Sequence, residues 1–323
     1  MVAKQDERIR LLVKVSTMYY LDGLNQQEIS ARLGISRPQI SRMLSAAKAE
    51  GIVQIRVRNP FSKEQQYEKA LSETFGISDV TVLQTHDNAN RAQIEAQLGQ
   101  AAAALMETVL RDRDTVGVMA GKAVASIADA LSYFAKKDLV FVPMVGSWGT
   151  DGTTWHANSN VQTMGEKLRS KYMFLNAPTI VGSPETREAL VKEKEISEVL
   201  QRAENASVAV IGIGQISEDA TMVRSGHFNE EELASVRNKG AVANICTSFL
   251  DAKGNVLDVP AKDRMIGVTA EQLRNIPKVI AMAYGEEKVA AITAVLRGRW
   301  IDCLITDMNT ADRVLEYHRQ HRA

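Results

Sequence analysis

The chain has 323 residues, 45% hydrophobic and 24% charged, with 39 basic residues against 39 acidic. That length suits a small module joined to a domain of about 250 residues, and the composition excludes disordered and fibrous classes. Charged residues interrupt every apolar run before the ~18 residues of a membrane span, which excludes a membrane-spanning helix. The N-terminus lacks an apolar stretch followed by a small-residue cleavage site, so a cytoplasmic protein is expected. Cys246 and Cys303 stand far apart without ligand patterns around them, which argues against a disulfide framework or a zinc cluster.

The charge is unevenly placed. Ten of the basic and five of the acidic residues fall in 1–58, a net of +5 there and −5 in the remainder. In chain order, Ile9, Leu12, Val13, Val15, Met18 and Tyr19 recur at spacings of three and four, which predicts a helix over 7–20 with one buried face. Asn25 then caps a short helix, Gln26 to Leu33, with Glu28 placed as in a capping box. Gly34 supplies a left-handed turn, and Ser36 caps a third helix that carries Pro38 in its first turn. Ile29, Leu33, Ile35, Ile40 and Met43, with the small Ser30, match two helices crossing closely, a helix-turn-helix. In such a unit the last helix enters the major groove, where arginine pairs with guanine and glutamine with adenine. Gln26 and Gln27 on the second helix, and Ser36, Arg37, Gln39, Ser41 and Arg42 on the third, are the residues assigned to double-stranded operator DNA. Ile52 to Arg58 alternates as a strand does, which would make the unit winged and set Arg56 and Arg58 against phosphates, or equally serve edge-strand solubility.

Domain boundaries follow as 1–58 for DNA binding, a linker at 59–64 around Pro60, and 65–323 for effector binding and oligomerisation. Ser62 is placed to cap a helix running to about Phe75. Beyond it, β-rich runs at Val80–Leu83, Thr115–Met119, Leu139–Val142, Val208–Ile211, Val242–Ile245, Val279–Met282 and Cys303–Ile305 alternate with amphipathic stretches at Arg91–Leu110, Lys122–Ala135 and Glu286–Arg297. This alternation predicts a C-terminal α/β domain with a mainly parallel sheet flanked by helices.

Ligands of such sheets sit beyond the carboxyl ends of the strands. Gly121 and Lys122 occupy one loop of this kind, where a glycine turn feeding a helix exposes amides that suit an anion. It is not a nucleotide P-loop: the glycine spacing is one residue short, and Ala123 replaces the hydroxyl that would hold magnesium. Gly146 and Ser147 open a second loop, rich in glycine, hydroxyls and tryptophan up to Asn158, surroundings that suit sugar hydroxyls and their C–H faces, although Trp148 and Trp155 also read as core residues. Gly212-Ile213-Gly214 lacks the third glycine of a dinucleotide fingerprint, and His227, His318 and His321 have no partners at metal spacing; no cofactor is expected.

The run Tyr19-Tyr20-Leu21-Asp22-Gly23-Leu24-Asn25-Gln26-Gln27-Glu28-Ile29, with Leu33-Gly34-Ile35-Ser36-Arg37-Pro38 and Ala49-Glu50-Gly51-Ile52-Val53, resembles the N-terminus of the SorC family of sugar-responsive regulators. Gly117–Lys122, Pro143–Ser147, Gly212–Gly214, Phe249–Gly254 and Leu304–Asp307 carry the resemblance over nearly the full length. It implies an effector domain similar in fold to sugar phosphate isomerases and glucosamine-6-phosphate deaminase, used for binding, in a homo-oligomer that is a dimer or tetramer. It further implies His156, Asn158, Arg224, Asn244, Asp251 and Lys288 as pocket residues for a small sugar, polyol or sugar phosphate. Family members often carry hydroxyl residues where this chain has Lys122-Ala123-Val124. The competing class is a sugar phosphate isomerase or deaminase with an appended DNA-binding domain; no compact acid/base pair speaks for it.

Overall fold

The computed structural model describes residues 2–53, 62–85, 89–147, 155–218, 223 and 228–321. The chain divides into two units, Met1–Pro60 and Phe61–Ala323.

In the first unit, α1 (Val2–Tyr20), α2 (Gln26–Leu33) and α3 (Arg37–Ala49) follow one another. Asn25 accepts from the amides of Gln27 and Glu28, while Glu28 returns a carboxylate to the Asn25 amide. Gly34 ends α2 at φ 66°, which only glycine adopts without strain. Leu12, Val15, Met18, Ile29, Ile40 and Leu44 are buried between the three helices. Ile9 and Val13, expected on the buried face of α1, are instead 38% and 45% exposed, because the helix contacts its neighbours along a narrower stripe than the sequence periodicity suggests. The Arg8 guanidinium grips the Glu50 carboxylate with both nitrogens, joining α1 to the end of α3. Of the candidate wing, Ile52 to Arg58, only Ile52 and Val53 are described; residues 54–58 lie outside the described residues, as do 59–61.

In the second unit, α4 (Ser62–Phe75), β1 (Asp79–Leu83), α5 (Arg91–Val109), β2 (Thr115–Val118), α6 (Lys122–Ala130), β3 (Val140–Pro143), α7 (Ala157–Lys167) and β4 (Lys171–Tyr172) come first. They are followed by α8 (Pro184–Lys192), α9 (Lys194–Glu204), β5 (Val208–Gly212), β6 (Gly214–Gln215), α10 (Glu230–Asn238), β7 (Ala241–Ile245) and β8 (Ser248–Asp251). Last come α11 (Ala270–Leu273), β9 (Lys278–Met282), α12 (Val289–Arg297), β10 (Cys303–Asp307) and α13 (Met308–Gln320). Seven strands form one parallel sheet in the order β1-β10-β9-β5-β2-β3-β4. From β2 the chain winds outward through β3 to β4, then returns to β5 on the other side of β2 and winds through β9 to β10. The winding therefore reverses between β2 and β5, which opens a crevice at their carboxyl ends. Val116, Val118, Phe141, Val210, Ile280 and Ile305 on the strands, with Leu98, Met106, Ile127 and Ile292 on the helices, are all buried in one core.

Four expectations are corrected. The run Val242–Ile245 does not join the parallel sheet; it pairs antiparallel with β6 and β8 in a separate three-stranded sheet. Period and composition report a strand but not its neighbours, and here a tight turn at Cys246 (φ 50°) folds β8 straight back. The seventh place in the parallel sheet goes to Lys171–Tyr172, too short and polar to read as a strand. The helix starting at Lys122 stops at Ala130, because Leu131 turns extended (φ −59°, ψ 134°) and the following segment buries both Leu131 and Phe134. Of the expected linker 59–64, residues 62–64 lie in α4, which starts at Ser62, with Glu64 favourably placed in its first turn. The stretch 286–297 begins as a single 3-10 turn, Glu286–Lys288, before α12 takes over.

Candidate DNA-reading helix and effector site

On α3 the residues that face away from the core are Arg37, Pro38, Gln39, Ser41 and Arg42, all exposed, as are Ser36 and Gln27; Gln26 is half-buried. Ile40, Leu44 and Ala47 turn inward, so the helix presents one continuous polar face with two guanidinium groups. Gln39 is not free on that face. Its Oε1 accepts from the Ser36 amide at 3.2 Å and the Ser36 hydroxyl at 2.8 Å, closing a capping box at the start of the helix. Arg42 leans back along the helix, Nε donating to the Pro38 carbonyl at 3.4 Å. The Arg37 guanidinium has no partner among the described residues.

In the second unit the carboxyl ends of β2, β3, β5 and β9 bring several predicted residues to one edge of the sheet. After β2, Met119 donates to the Val210 carbonyl, and Gly121, at φ 132°, starts α6 and donates to the Trp155 carbonyl at 2.8 Å. Lys122 follows it and is exposed. His156, 8% exposed, begins α7 with its ring against Trp155. After β3, Gly146 and Ser147 run alongside Ala177–Thr179: the Ser147 amide donates to Ala177, and the Thr179 hydroxyl donates to the Gly146 carbonyl. A Cβ on Gly146 would stand 2.5 Å from the backbone of Ala177 and Pro178, so glycine is needed there for close packing of two backbones. Gly146→Ala is expected to cost roughly 2 kcal/mol or more, a fall of about 4–8 °C in the melting temperature of the domain. Calorimetry on the purified variant checks this, and an unchanged transition would show that the two backbones part easily.

Lys288 lies beyond β9 and is partly buried. Burial pushes its ammonium below the ordinary lysine range, and the nearby Arg91 adds to the fall, against the opposing pull of Glu287 and Glu95. Arg91, the first residue of α5, pairs with Glu287 at 2.9 Å and lies 5.6 Å from the centre of the Tyr284 ring. Burial, then hydrogen bonding to Glu95, holds the Tyr284 phenol above its usual value. Arg91, Glu95 and Tyr284 were not singled out from the sequence. The start of a helix after the first strand was a visible signal for Arg91, but that α5 brings it to the end of β9 was not.

The structure does not bring every predicted residue here. Asn158 spends its side chain on the backbone of Leu175, donating at 3.2 Å and accepting at 3.0 Å. Asn244 pairs with Gly214 beyond β5, but its amide holds the hairpin turn through the Ser248 carbonyl at 2.9 Å. Asp251 accepts from the amides of Lys253 and Asn255 and from the Asn255 side chain. Burial by itself would raise that carboxyl; these donors bring it below the usual carboxylate value. Next to it, the Ala252 carbonyl accepts from Arg297 at the last turn of α12, whose first turn follows Lys288. Asp251 thus lies by the last turn of α12, whereas Lys288 precedes its first. Arg224, His227, Trp148 and the loop around it lie outside the described residues. A separate cleft of 420 Å³, lined by Arg187, Thr247, Ser248, Lys262 and Thr269 among others, contains none of the predicted residues.

A capped helix with a cationic outer face, joined to a doubly wound sheet whose carboxyl edge is polar, defines a ligand-responsive transcription regulator. The family model described as "Putative sugar-binding domain" matches residues 59–316, and a model of homeodomain-like domains matches residues 3–56. The chain belongs to this sugar-binding family, that of the SorC regulators. It is 31% identical over 305 residues to the deoxyribonucleoside regulator of Bacillus subtilis (strain 168), covering 94% of this chain and 97% of that one. It is 32% identical over 310 residues to the transcriptional regulator LsrR of Enterobacter sp. (strain 638), covering 94% and 92%. The full-length sorbitol operon regulator SorC of Klebsiella pneumoniae superimposes with a TM-score of 0.75 at 26% identity, over 95% of this chain and 98% of that one. These relatives are named as regulators, and the catalytic alternative gives way: the chain is a DNA-binding transcription regulator, not an enzyme. Among the described residues no helix is long and apolar enough to cross a membrane.

Proposed function

We propose that the protein is a cytoplasmic regulator that acts as a homo-oligomer on paired operator half-sites and responds to a small phosphorylated sugar. The reading helix is α3, with Arg37, Ser41 and Arg42 as its contact residues. The effector sits over the carboxyl edge of the parallel sheet, between the loops of Gly121–Lys122 and Gly146–Ser147 and the turn that ends in Lys288. One observation carries the choice of an anionic effector: half-buried Lys288 lies in the turn after β9 to which Arg91 is also held, by Glu287 at 2.9 Å and by the Tyr284 ring, so two cations meet at this edge and suit a bound anion. The names of the relatives, regulators of a sorbitol operon and of deoxyribonucleosides, support a polyhydroxylated molecule of this size. Two-fold half-sites follow from the way helix-turn-helix proteins meet duplex DNA.

The test is a fluorescence-anisotropy titration of the full chain on DNA from the region upstream of its own gene. Sugar phosphates are expected to change operator affinity at concentrations where the corresponding neutral sugars have no effect. A neutral polyol acting equally well would overturn the anionic effector, and failure to bind any DNA at low ionic strength would overturn the regulator reading of α3.

A further inference from the structure

The motif Gly212-Ile213-Gly214 ends β5 at the centre of the carboxyl edge, and the residues around it have no part in the site as described so far. The register of β2 with β5 runs Val116 to Val208, Gly117 to Ala209 and Val118 to Val210, so its continuation sets Gly212 abreast of Ala120 and next to Gly121. On its other side Gly212 is paired with Met282 of β9. Gly212, the last residue of β5, and Gly121, in the turn after β2, therefore flank the place where the winding reverses.

At both glycines an added Cβ would meet no described atom within 4 Å. Gly121 needs glycine for its positive φ, whereas Gly212 does not have one. Neither packing nor backbone conformation explains why position 212 lacks a side chain, in the middle of a sheet where β-branched residues are favoured. Two buried carbonyl oxygens belong to residues tied to the chain just past these two strands, Asn160 through Met119 beyond β2 and Gln215 on β6 beyond β5. Asn160, 1% exposed, donates to the Met119 carbonyl just past β2, while its Oδ1 finds no donor among the described residues. Gln215, two residues beyond Ile213, donates to the Ser217 hydroxyl, and its Oε1 is likewise buried without a donor. A buried acceptor left unpaired is costly, and two such acceptors just beyond the neighbouring strands β2 and β5 suit a molecule that brings hydroxyl protons.

We infer that Gly212, Asn160 and Gln215 form the hydroxyl-selecting end of the effector site: Gly212 leaves the room, and the Asn160 and Gln215 carbonyls accept from two hydroxyls of the ligand. The inference rests on the proposed effector site and gives the ligand a direction. Its polyol end lies at Gly121 and Gly212, and its anionic end at Lys288 and Arg91. Two carbonyl oxygens repel an anion, so the ends do not exchange.

The experiment uses the full chain with D-sorbitol, D-glucose 6-phosphate, D-ribose 5-phosphate, 2-deoxy-D-ribose 5-phosphate and inorganic phosphate as probes, reading melting temperature and operator affinity. Gly212→Ala and Gln215→Leu are expected to keep the melting temperature of the unliganded parent to within about 2 °C and its operator affinity. Both are expected to weaken the response to the best sugar probe by roughly tenfold or more. Inorganic phosphate alone is expected to produce no operator response. An unaltered sugar response in either variant, a fall of more than about 5 °C in unliganded Gly212→Ala, or a response to inorganic phosphate equal to that of the sugar phosphate overturns the inference. A parent that no sugar probe affects overturns the sugar-effector reading itself, and this inference with it.

Discussion

Lys288→Met is expected to abolish the effector response and at the same time to make the unliganded protein more stable, raising its melting temperature by roughly 2–4 °C. Desolvation disfavours the charged form of Lys288, and Arg91 repels it, so the folded protein holds this proton less tightly than the unfolded chain, whose lysine has the ordinary value of 10.5. Where the unfolded state binds more protons, stability rises with pH. The cost of the buried ammonium is therefore full below the lowered folded-state pKa and shrinks to nothing as pH rises to about 10.5. Methionine fills a similar volume without a charge and removes that cost. The gain over the parent is largest at neutral pH and declines toward alkaline pH, which melting curves at a series of pH values would follow. An anionic effector needs the protonated ammonium, so its affinity for the parent falls over the same alkaline range. A variant that is less stable than the parent at pH 7, or that still responds to the effector, would remove Lys288 from the site.

Arg37→Ala is expected to lower operator affinity by roughly 10- to 100-fold and to change the preferred base at one position of each half-site. The residue opens α3, is exposed, and its guanidinium is not engaged by any described side chain. Gln39→Ala gives the contrasting result. Because Gln39 Oε1 already accepts two hydrogen bonds from Ser36, it is not available for the paired contact that glutamine makes with adenine. Its loss is expected to weaken the helix start by about 1 kcal/mol and to lower affinity evenly over all operator sequences. Selection of bound sequences from a randomised half-site separates these outcomes. An unchanged preference in Arg37→Ala, or a shifted one in Gln39→Ala, would reverse the two roles.

The first unit was largely legible in the sequence. Asn25 with Glu28, Gly34, and Ser36 with Pro38 act within four residues of themselves, and the structure shows the two caps and the turn they predict. In the second unit most strands and helices were legible for the same reason, since periodicity is a property of each segment. The short β4 escaped, because two residues with a lysine among them have no pattern. The candidate site was legible only as loops that follow strands. Lys122, Ser147 and Lys288 are separated by long stretches of chain, and nothing in their surroundings reports that they share an edge.

What the sequence determined by itself is therefore whatever neighbours along the chain decide: caps, turns, the faces of helices, and a DNA-reading helix distinct from a larger α/β domain. The tertiary structure alone decided which strands lie side by side and that Val242–Ile245 belongs to the small antiparallel sheet. It alone also decided that the winding reverses between β2 and β5. It decided, too, which polar side chains are free. Asn158, Asp251 and Gln39 resemble ligand-binding residues in the sequence, yet the backbone around them already takes their hydrogen bonds. Asn160 and Gln215 attract no notice there, yet each keeps a buried oxygen unpaired. The physical reason is the same in every case: a polar group's capacity is fixed by its chemistry, but whether any remains for a ligand depends on contacts made by residues far away in the chain.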